Sequence, residues 1–562
     1  MADVSTVGVS PVLILFAGDD VAVAIKPLKA GETITLPDGG SLTLATDIPR
    51  SHKLALHDLA QGAPVHKYGQ IIGVTTVPVL AGSHIHSHNL VFSDDESSRS
   101  YDFSSAQTVT DLAAFGISPD DPRPTFQGYQ RANGRVGTRN YIAILCSVNC
   151  SATAARKIAA HFTPEVMAQY PNVDGVVPLT HTSGCGLVPS SLGGHVLLRT
   201  LRGTAANPNV GGVLVLGLGC EMCTVDQLDC QFAQHVPIEQ PALNLSDMVP
   251  HAQAPTGIHR VPEDESPMPD LPVDTHVETL VLQTVGGMRA TVEAGIEAVH
   301  RLLAKVNENG RVPCDVSNLV LAQNCGGSDG YSGITANPAL GWASDLLVAY
   351  SGTSVLAETP EVYGAEHLLT RRAVSQEVGE KLIRQIKWWK RYMAEGEGSM
   401  DNNPSPGNKA GGLTTILEKS LGAIAKCGHA NLSQVYEYAE DVEPHIGLAF
   451  MDTPGYDPVS VTGLVAGGCN IVVFTTGRGS FNGSAIAPCI KVASNTEMYN
   501  NLHEDMDLNA GRIVDGTAAL PQVGRELFDM MLEAASGRMI TASERNDVGI
   551  EEFIPWMIGA VT

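Results

Sequence analysis

The chain has 562 residues, of which 43% are apolar and 17% charged, with 57 Gly and 33 Pro. This composition is typical of a folded protein with about three to four domains and excludes a disordered chain. Asp and Glu outnumber Lys and Arg by 60 to 35, and the formal charge of −25 argues against nucleic acid or an anionic membrane as the main partner. An anionic small molecule is still compatible with a local basic site.

The sequence contains neither a transmembrane segment nor a secretion signal that we can recognise. Apolar runs stay shorter than the roughly 18 residues that a membrane span requires. The apolar N-terminus lacks the basic residues that begin a signal peptide. We therefore expect a cytoplasmic protein whose 11 cysteines are reduced thiols.

The first hundred residues predict a small all-β domain, which we place at residues 1–100. Short apolar runs rich in Val, Ile and Leu alternate there with turn signals such as Pro37-Asp38-Gly39-Gly40. A polar stretch ends this domain, and residues 101–123 are predicted to be a linker.

Two α/β regions are predicted to follow. Buried strands at 141–145, 175–179 and 212–216 lead into polar turns, and the first is followed by a helical pattern. We assign residues 124–250 to the first α/β region and the Pro- and acid-rich residues 251–275 to a second linker. Residues 276–562 form the C-terminal α/β region, with strands predicted at 319–321, 354–356 and 471–474.

The two α/β regions resemble each other in sequence. Residues 142–150, 176–182 and 213–220 are similar, in the same order, to residues 319–325, 355–360 and 472–479. An internal duplication explains this order, although any two α/β domains share strand-then-glycine patterns.

Each of these strands runs into a loop of small polar residues, glycine, cysteine or histidine. Ligands bind at the carboxyl ends of the strands in open α/β sheets, so a cleft between the two regions is the expected site. Backbone N–H groups and short hydroxyls there suit a carboxylate or sugar hydroxyls. The loops are residues 146–150, 181–186, 217–223, 324–333, 358–367 and 475–483.

Histidines and arginines supply the candidate metal ligands and carboxylate-binding groups. His84, His86 and His88 alternate along a probable strand, which places three imidazoles on one face and predicts His86 and His88 as metal ligands, with His84 as a possible third. Arg139 and Arg478 lie beside turns and are predicted, with Lys491, to bind a sugar-acid carboxylate.

Several common motifs are missing or weak. The sequence has no GxxxxGK[ST] phosphate loop and no GxSxG nucleophile elbow, and Met222 occupies the third glycine position of the dinucleotide fingerprint that follows the strand at 212–216. Cys220 and Cys223 form a lone CxxC, which supports a structural zinc site or a redox dithiol only weakly.

Several segments together resemble the altronate/galactarate dehydratase family. Residues 67–73 and 86–90 are similar to its N-terminal SAF-type (β-clip) domain, and residues 128–141 and 181–186 to its second domain. Residues 324–329, 358–361, 475–479 and 509–512 are similar to its C-terminal domain. The loop at 480–484 departs from the family versions, which leaves the particular substrate open.

The resemblance implies a metal-dependent hydro-lyase that converts an aldonate or aldarate to a 2-keto-3-deoxy acid. It implies catalytic roles for Lys67 and Tyr68, while His181 or Cys185 is the predicted proton-transferring group. Four further substrate-binding residues are implied by the matching segments: Asn140, Asn324, Ser328 and Asp329. We expect a homo-oligomer with a small-molecule substrate.

Iron(II) is the expected metal, and manganese or zinc is an alternative. An iron–sulfur cluster on Cys146, Cys185, Cys220 or Cys325 ranks below these, because the sequence has no compact three-cysteine motif. Two other functions stay open: a sulfolactate-type sulfo-lyase, and a sugar-acid-binding protein without catalysis.

Overall fold

The computed structural model describes residues 10–94, 101–106, 108, 110–188, 190–225, 228 and 275–558. The predicted linker at 251–275 lies outside the described residues except for its last position. No helix in the described ranges combines the length and the apolar character needed to cross a membrane.

The N-terminal domain consists of short antiparallel strands in three small sheets, ordered β1-β2-β5-β8, β3-β4 and β6-β7-β9. This confirms the predicted all-β domain. Its strands are β1 (Val12–Leu13), β2 (Val21–Ala24), β3 (Thr33–Thr35), β4 (Ser41–Thr43), β5 (Lys53–Ala55), β6 (Pro64–Lys67), β7 (Gln70–Thr75), β8 (His84–Ile85) and β9 (Leu90–Val91).

The second unit has a four-stranded parallel sheet of order β13-β12-β14-β15. Its strands are β12 (Tyr141–Cys146), β13 (Gly175–Leu179), β14 (Val210–Gly217) and β15 (His276–Val281). Its helices are α1 (Ala152–Ala159), α2 (Pro164–Met167), α3 (Leu192–Ala206), α4 (Leu282–Val285) and α5 (Met288–Val306). Strand β15 and helix α5 thus belong to this unit in the structure, whereas the sequence placed residues from 276 onward in the third region.

A three-stranded antiparallel sheet joins the second unit to the third. It is built from β10 (Thr125–Gln130), β11 (Val136–Gly137) and β16 (Val312–Asp315), in the order β11-β10-β16.

The C-terminal unit has a seven-stranded parallel sheet of order β19-β20-β18-β17-β21-β22-β23. Its strands are β17 (Val320–Cys325), β18 (Thr353–Leu356), β19 (Leu432–Tyr436), β20 (Gly447–Met451), β21 (Ile471–Thr476), β22 (Cys489–Ala493) and β23 (Leu508–Asn509). Its helices are α6 (Ala336–Ala349), α7 (His367–Thr370), α8 (Gln376–Glu395), α9 (Pro406–Ala410), α10 (Ile416–Ile424), α11 (Asp457–Ala466), α12 (Thr496–Asn501), α13 (Leu520–Ala535) and α14 (Ala542–Arg545).

The two parallel sheets confirm the predicted α/β regions, and their central strands share one arrangement. Strand β12 lies between β13 and β14, as β17 lies between β18 and β21. These are the three strand pairs whose sequences resemble each other. The duplication itself stays a prediction.

The three parts are packed together through shared apolar cores. Val65 and Ile72 of the N-terminal domain lie in one cluster with Leu356, Ile416 and Phe450 of the C-terminal unit. Another cluster joins the two parallel sheets through helices α3 and α11. Because burial of apolar surface is the main stabilising contribution in folding, the β-domain is docked firmly on the C-terminal unit.

Candidate active site

A polar cavity of about 430 Å³ lies between the N-terminal domain and the C-terminal unit. Arg50 and Ser51, just before strand β5, line it on one side. Asp329 and Arg478 line it from the loops that follow strands β17 and β21. The cavity therefore lies at the carboxyl ends of parallel strands, where open α/β sheets bind ligands.

Two guanidinium groups, those of Arg50 and Arg478, line this cavity together with the carboxylates of Asp329 and Glu497. Arg478 is exposed and, among the described residues, makes no ion pair. The guanidinium nitrogens of Arg50 approach carboxylate oxygens of Glu497 and Asp515 only to 3.4 Å each. Guanidinium groups of this kind can bind a carboxylate through two parallel hydrogen bonds.

Asp329 is the buried carboxylate of the cavity wall, and its two oxygens differ. Oδ1 accepts hydrogen bonds from the backbone N–H of Tyr331 and from Ser332 and Ser494, whereas Oδ2 accepts one from Asn495 Nδ2 at 3.0 Å. Burial raises the pKa of Asp329, against the effect of these donors. Oδ2 therefore keeps a lone pair that can accept a proton.

Three histidines form a group of which one member, His52, lies beside the cavity wall. His52 follows Ser51 in the chain, and its Nε2 is 3.3 Å from the carbonyl oxygen of Ala410, a residue of the cavity wall. One ring nitrogen from each of His52, His84 and His86 lies within 4.8 Å of the other two. The antiparallel pairing of β5 with β8 produces this closeness, because Leu54 is opposite His84.

The histidine group fits a divalent metal ion. Burial, followed by the neighbouring positive groups, lowers the pKa of His84 to about 3 and that of His86 to about 4, and burial lowers the pKa of His52 as well. The rings are thus neutral at physiological pH, which is the form that binds metal. The buried Nδ1 of His86 has no hydrogen-bond partner among the described residues, so it is free to act as a ligand.

His88 lies outside this group, although its ring centroid is 5.3 Å from that of His84. The extended segment ends at Ile85, and a turn follows in which the backbone N–H groups of Asn89 and Leu90 donate to the carbonyl of His86. The alternation expected along a continuous strand therefore does not apply at His88. Its role as a ligand stays a prediction.

A buried ion triad, formed by Lys53, Lys67 and Glu418, lies next to the histidine group, because Lys53 directly follows His52 in the chain. Glu418, on helix α10, accepts from Lys53 Nζ and Lys67 Nζ, each at 2.8 Å, and all three side chains are at most 1% exposed. Burial alone would raise the pKa of Glu418, but the two lysines lower it well below its usual range. Lys67, predicted to be catalytic, is thus bound to Glu418 at the interface between the β-domain and helix α10.

A second group of potential ligands lies deeper in the C-terminal unit. Cys325, Glu358 and Glu361 also bring ligand atoms within 4.8 Å of one another. Lys426 Nζ already lies 2.9 Å from Cys325 Sγ and 2.8 Å from Glu358 Oε2, and Lys419 pairs with Glu361. Because two ammonium groups neutralise this group, it suits a metal ion less well than the histidines.

The predicted residues of the second unit do not line the cavity. Asn140 is buried and donates from Nδ2 to the carbonyls of Asn172 and Val306. His181 is buried too, with Nε2 bonded to the carbonyl of Cys146 and Nδ1 accepting from the N–H of Ser183. Proton transfer by His181 or by the exposed Cys185 stays a prediction.

Arg139 is also remote from the cavity wall. It pairs with Glu544 at 2.7 Å and donates to the carbonyls of Thr138 and Ala534 at 2.8 Å. These contacts join the second unit to helices α13 and α14, which is a structural role; contact with substrate stays a prediction.

We expect Arg139→Lys to lower stability, because a lysine cannot replace these three directed contacts. The loss should stay below the roughly 3–5 kcal/mol that removal of one partner of a buried pair costs, because lysine keeps the positive charge opposite Glu544. Thermal unfolding should show a lower midpoint, with KM for substrate little changed. A raised KM at unchanged stability would instead restore Arg139 to substrate binding.

The remaining predicted residues lie in or near the C-terminal strand ends. Asn324 donates to Ser460 Oγ at 2.8 Å, and its buried Oδ1 has no partner within the described part of the chain. Ser328 is buried, and its carbonyl accepts from Asn408. Lys491 is buried, with Nζ donating to the carbonyl of Ser480 at 3.0 Å. The substrate contacts of all three stay predictions.

Tyr68 adopts a left-handed backbone conformation, with φ of 61°, which is uncommon for a residue other than glycine. The backbone N–H groups of Tyr68 and Gly69 donate to the carboxylate of Asp19, which holds this turn in place. Lys67 Nζ lies 4.8 Å from the centre of the Tyr68 ring. Tyr68 therefore packs beside the ion triad, and its catalytic role stays a prediction.

The sequence analysis missed four residues that the structure brings to the site: Arg50, His52, Lys53 and Glu418. Local signals existed only for Arg50, His52 and Lys53, which are polar residues flanking a short strand.

The fold and the cavity describe an enzyme that acts on a small anionic molecule. Family models match residues 10–93 as the altronate/galactarate dehydratase SAF domain, residues 128–307 as the second domain of D-galactarate dehydratase/altronate hydrolase, and residues 316–561 as the C-terminal domain of D-galactarate/altronate dehydratase. The chain belongs to the altronate/galactarate dehydratase family, and it is a hydro-lyase.

The relatives match over nearly the whole chain. The altronate dehydratase of Escherichia coli is 36% identical over 95% of this chain and 96% of its own length. The galactarate dehydratase (L-threo-forming) of the same organism is 36% identical over 94% of this chain and 93% of its own. The (2R)-sulfolactate sulfo-lyase subunit beta of Chromohalobacter salexigens is 30% identical over 76% of this chain and 96% of its own.

Proposed function

We propose that the protein dehydrates an aldonate or aldarate, such as altronate or galactarate, to a 2-keto-3-deoxy acid in the cavity between the β-domain and the C-terminal unit. The observation that carries this proposal is the position of the unpaired Arg478 in a cavity whose wall contacts His52, a member of the group of three neutral histidines. Names of relatives that act on these two sugar acids support the substrate class.

The reaction removes the proton α to a carboxylate and expels the β-hydroxyl, after which the enol becomes the keto acid. Arg478 and Arg50 hold the substrate carboxylate, which fixes the orientation of the α-carbon. Asp329 Oδ2 accepts the α-proton, since its raised pKa makes it a stronger base than an exposed aspartate. Asn495 and Ser494 hold this carboxylate in position.

His52, His84 and His86 would hold a divalent cation, for which we propose iron(II), with manganese or zinc as alternatives. When bound, such an ion supplies Lewis acidity that stabilises the negative charge of the enediolate and assists loss of the hydroxyl.

The test is a substrate panel. The purified full-length protein is incubated anaerobically with iron(II) and a set of aldonates and aldarates, and the 2-keto-3-deoxy acid is assayed. Turnover of at least one sugar acid is expected. Release of sulfite from sulfolactate without sugar-acid turnover would favour the sulfo-lyase function, and binding of sugar acids without turnover would favour a binding protein; both results would reject our proposal.

We expect Arg478→Lys to lower kcat/KM by at least about tenfold, corresponding to about 1.4 kcal/mol. The charge is retained, but the two-pronged pairing with the carboxylate is lost. Arg371→Lys, an exposed arginine outside the cavity wall, is the matched control and should behave like the wild type. Unchanged kinetics of Arg478→Lys would remove this residue from carboxylate recognition.

A further inference from the structure

Three exposed cysteines lie together at one edge of the second unit. Cys150, Cys185 and Cys220 are exposed, whereas the other seven cysteines of the described residues are buried. Each exposed cysteine follows the carboxyl end of a different strand, β12, β13 or β14, and these strands are adjacent in the sheet. Exposed thiols are vulnerable to oxidation, so three at one ligand-binding edge indicate a function.

Hydrogen bonds tie the loops of Cys150 and Cys185 together beside the thiols. The backbone N–H of Asn149 donates to the carbonyl of Ser183 at 3.1 Å, and its side-chain amide donates to the carbonyl of His181 at 3.0 Å. Asn149 directly precedes Cys150, and Ser183 lies two residues before Cys185.

The loop of Cys220 is held against the same two loops. Glu221, which follows Cys220, accepts from the hydroxyl of Ser147 at 2.6 Å. Gly184, which precedes Cys185, accepts at its carbonyl from the N–H of Cys223 at 3.4 Å. At Gly184 φ is +97°, and a Cβ would lie 2.2 Å from the carbonyl oxygen of Ser147, so only glycine permits this contact.

The thiols are more widely spaced than the ligands of a single ion. Within the described ranges, the groups of three ligand atoms that lie within 4.8 Å of one another are the histidine group and the Cys325 group. A cluster of several irons and sulfides spans a wider gap and takes cysteine thiolates as ligands.

We propose that Cys150, Cys185 and Cys220 bind an iron–sulfur cluster in the second unit, separate from the histidine group. Three thiolates leave one iron of a four-iron cluster without a protein ligand. This fourth iron can bind an oxygen ligand from a small molecule. A cavity of about 360 Å³, lined by Asn149 and by the paired Arg156 and Glu551 among others, adjoins this edge and offers room for a small molecule. In this proposal Cys185 is a cluster ligand instead of a proton-transferring group.

The test uses full-length protein purified without oxygen and, in parallel, the same protein reconstituted with iron(II), sulfide and dithiothreitol. We expect acid-labile sulfide together with iron in excess of it, because the histidine group also takes iron(II), and iron and sulfide in equal amounts in the His52→Ala variant. We also expect a broad visible absorption band and an electron paramagnetic resonance signal after reduction with dithionite. Cys150→Ser, Cys185→Ser and Cys220→Ser should each lose most of the sulfide and of the band, with unchanged circular dichroism.

Two control variants separate this site from the others. Cys314→Ser removes a buried thiol on β16 and should keep the cluster. His52→Ala should also keep the sulfide and the visible band, so the result is independent of the function proposed above. Iron without sulfide, no cluster after reconstitution, or full sulfide in all three cysteine variants would overturn the proposal.

Discussion

Replacement of His52, His84 or His86 by alanine is expected to abolish retention of the metal ion that we propose for this group and to reduce dehydratase turnover by at least about 100-fold. Even the loss of a residue that only supports a ligand typically costs about 10–100-fold in metal affinity or activity. Each variant is purified without chelator, and turnover is measured at rising iron(II) concentration. The proposed cysteine site would also contain iron, so acid-labile sulfide is measured in parallel. Iron that is lost while the sulfide content stays constant is then assigned to the histidine group.

His57→Ala is the matched control for these variants. This histidine belongs to the same domain but is exposed, and its Nε2 lies 2.9 Å from Asp20. It should keep the wild-type iron response. His88→Ala tests the ligand proposed from the spacing alone. The assignment of His52, His84 and His86 as ligands would be contradicted if their three alanine variants kept the wild-type iron dependence and only His88→Ala lost it.

The second large effect concerns stability, and it is expected for Glu418→Gln. This change leaves the ammonium groups of Lys53 and Lys67 buried without a counter-charge. Breaking a buried ion pair from one side costs about 3–5 kcal/mol. The melting temperature of the 562-residue chain should therefore fall by about 3–4 °C. The β-domain should separate from the C-terminal unit early in unfolding, since the triad lies at their interface.

Glu533→Gln provides the comparison, because Glu533 pairs with Arg538 on the surface, where both side chains are about half exposed. Exposed pairs contribute about 0–1 kcal/mol, so this variant should melt close to the wild type. The double variant Glu418→Gln with Lys67→Met should recover part of the loss, because it removes one unpaired charge. Equal melting temperatures for Glu418→Gln and Glu533→Gln would show that the triad contributes no more than a surface pair.

Local sequence patterns were sufficient for the β-domain and for the central strands of both parallel sheets, but not for strand β15 and helix α5, which the sequence placed in the third region. Alternating apolar residues and turn signals identified the β-domain, and apolar runs followed by small polar residues identified the central strands of both parallel sheets. They were sufficient also for part of the site, because the carboxyl end of a parallel strand is a ligand-binding position whatever the rest of the fold. This rule predicted the loops that contain Asp329 and Arg478, both of which line the cavity; their contacts with substrate stay predictions.

Only the tertiary structure decided which polar residues meet. His52 joins His84 because β5 pairs with β8 across about 30 residues of chain, and Glu418 reaches Lys53 because helix α10 packs on the β-domain. Arg139 and Arg478 have similar sequence surroundings, yet Glu544 and two carbonyls occupy the first while the second faces the cavity. Local sequence determines the strands and their polar ends, whereas long-range packing determines the partner of each charge. Hence the sequence alone predicted ligand binding at the strand ends, and only the fold shows which residues lie together there.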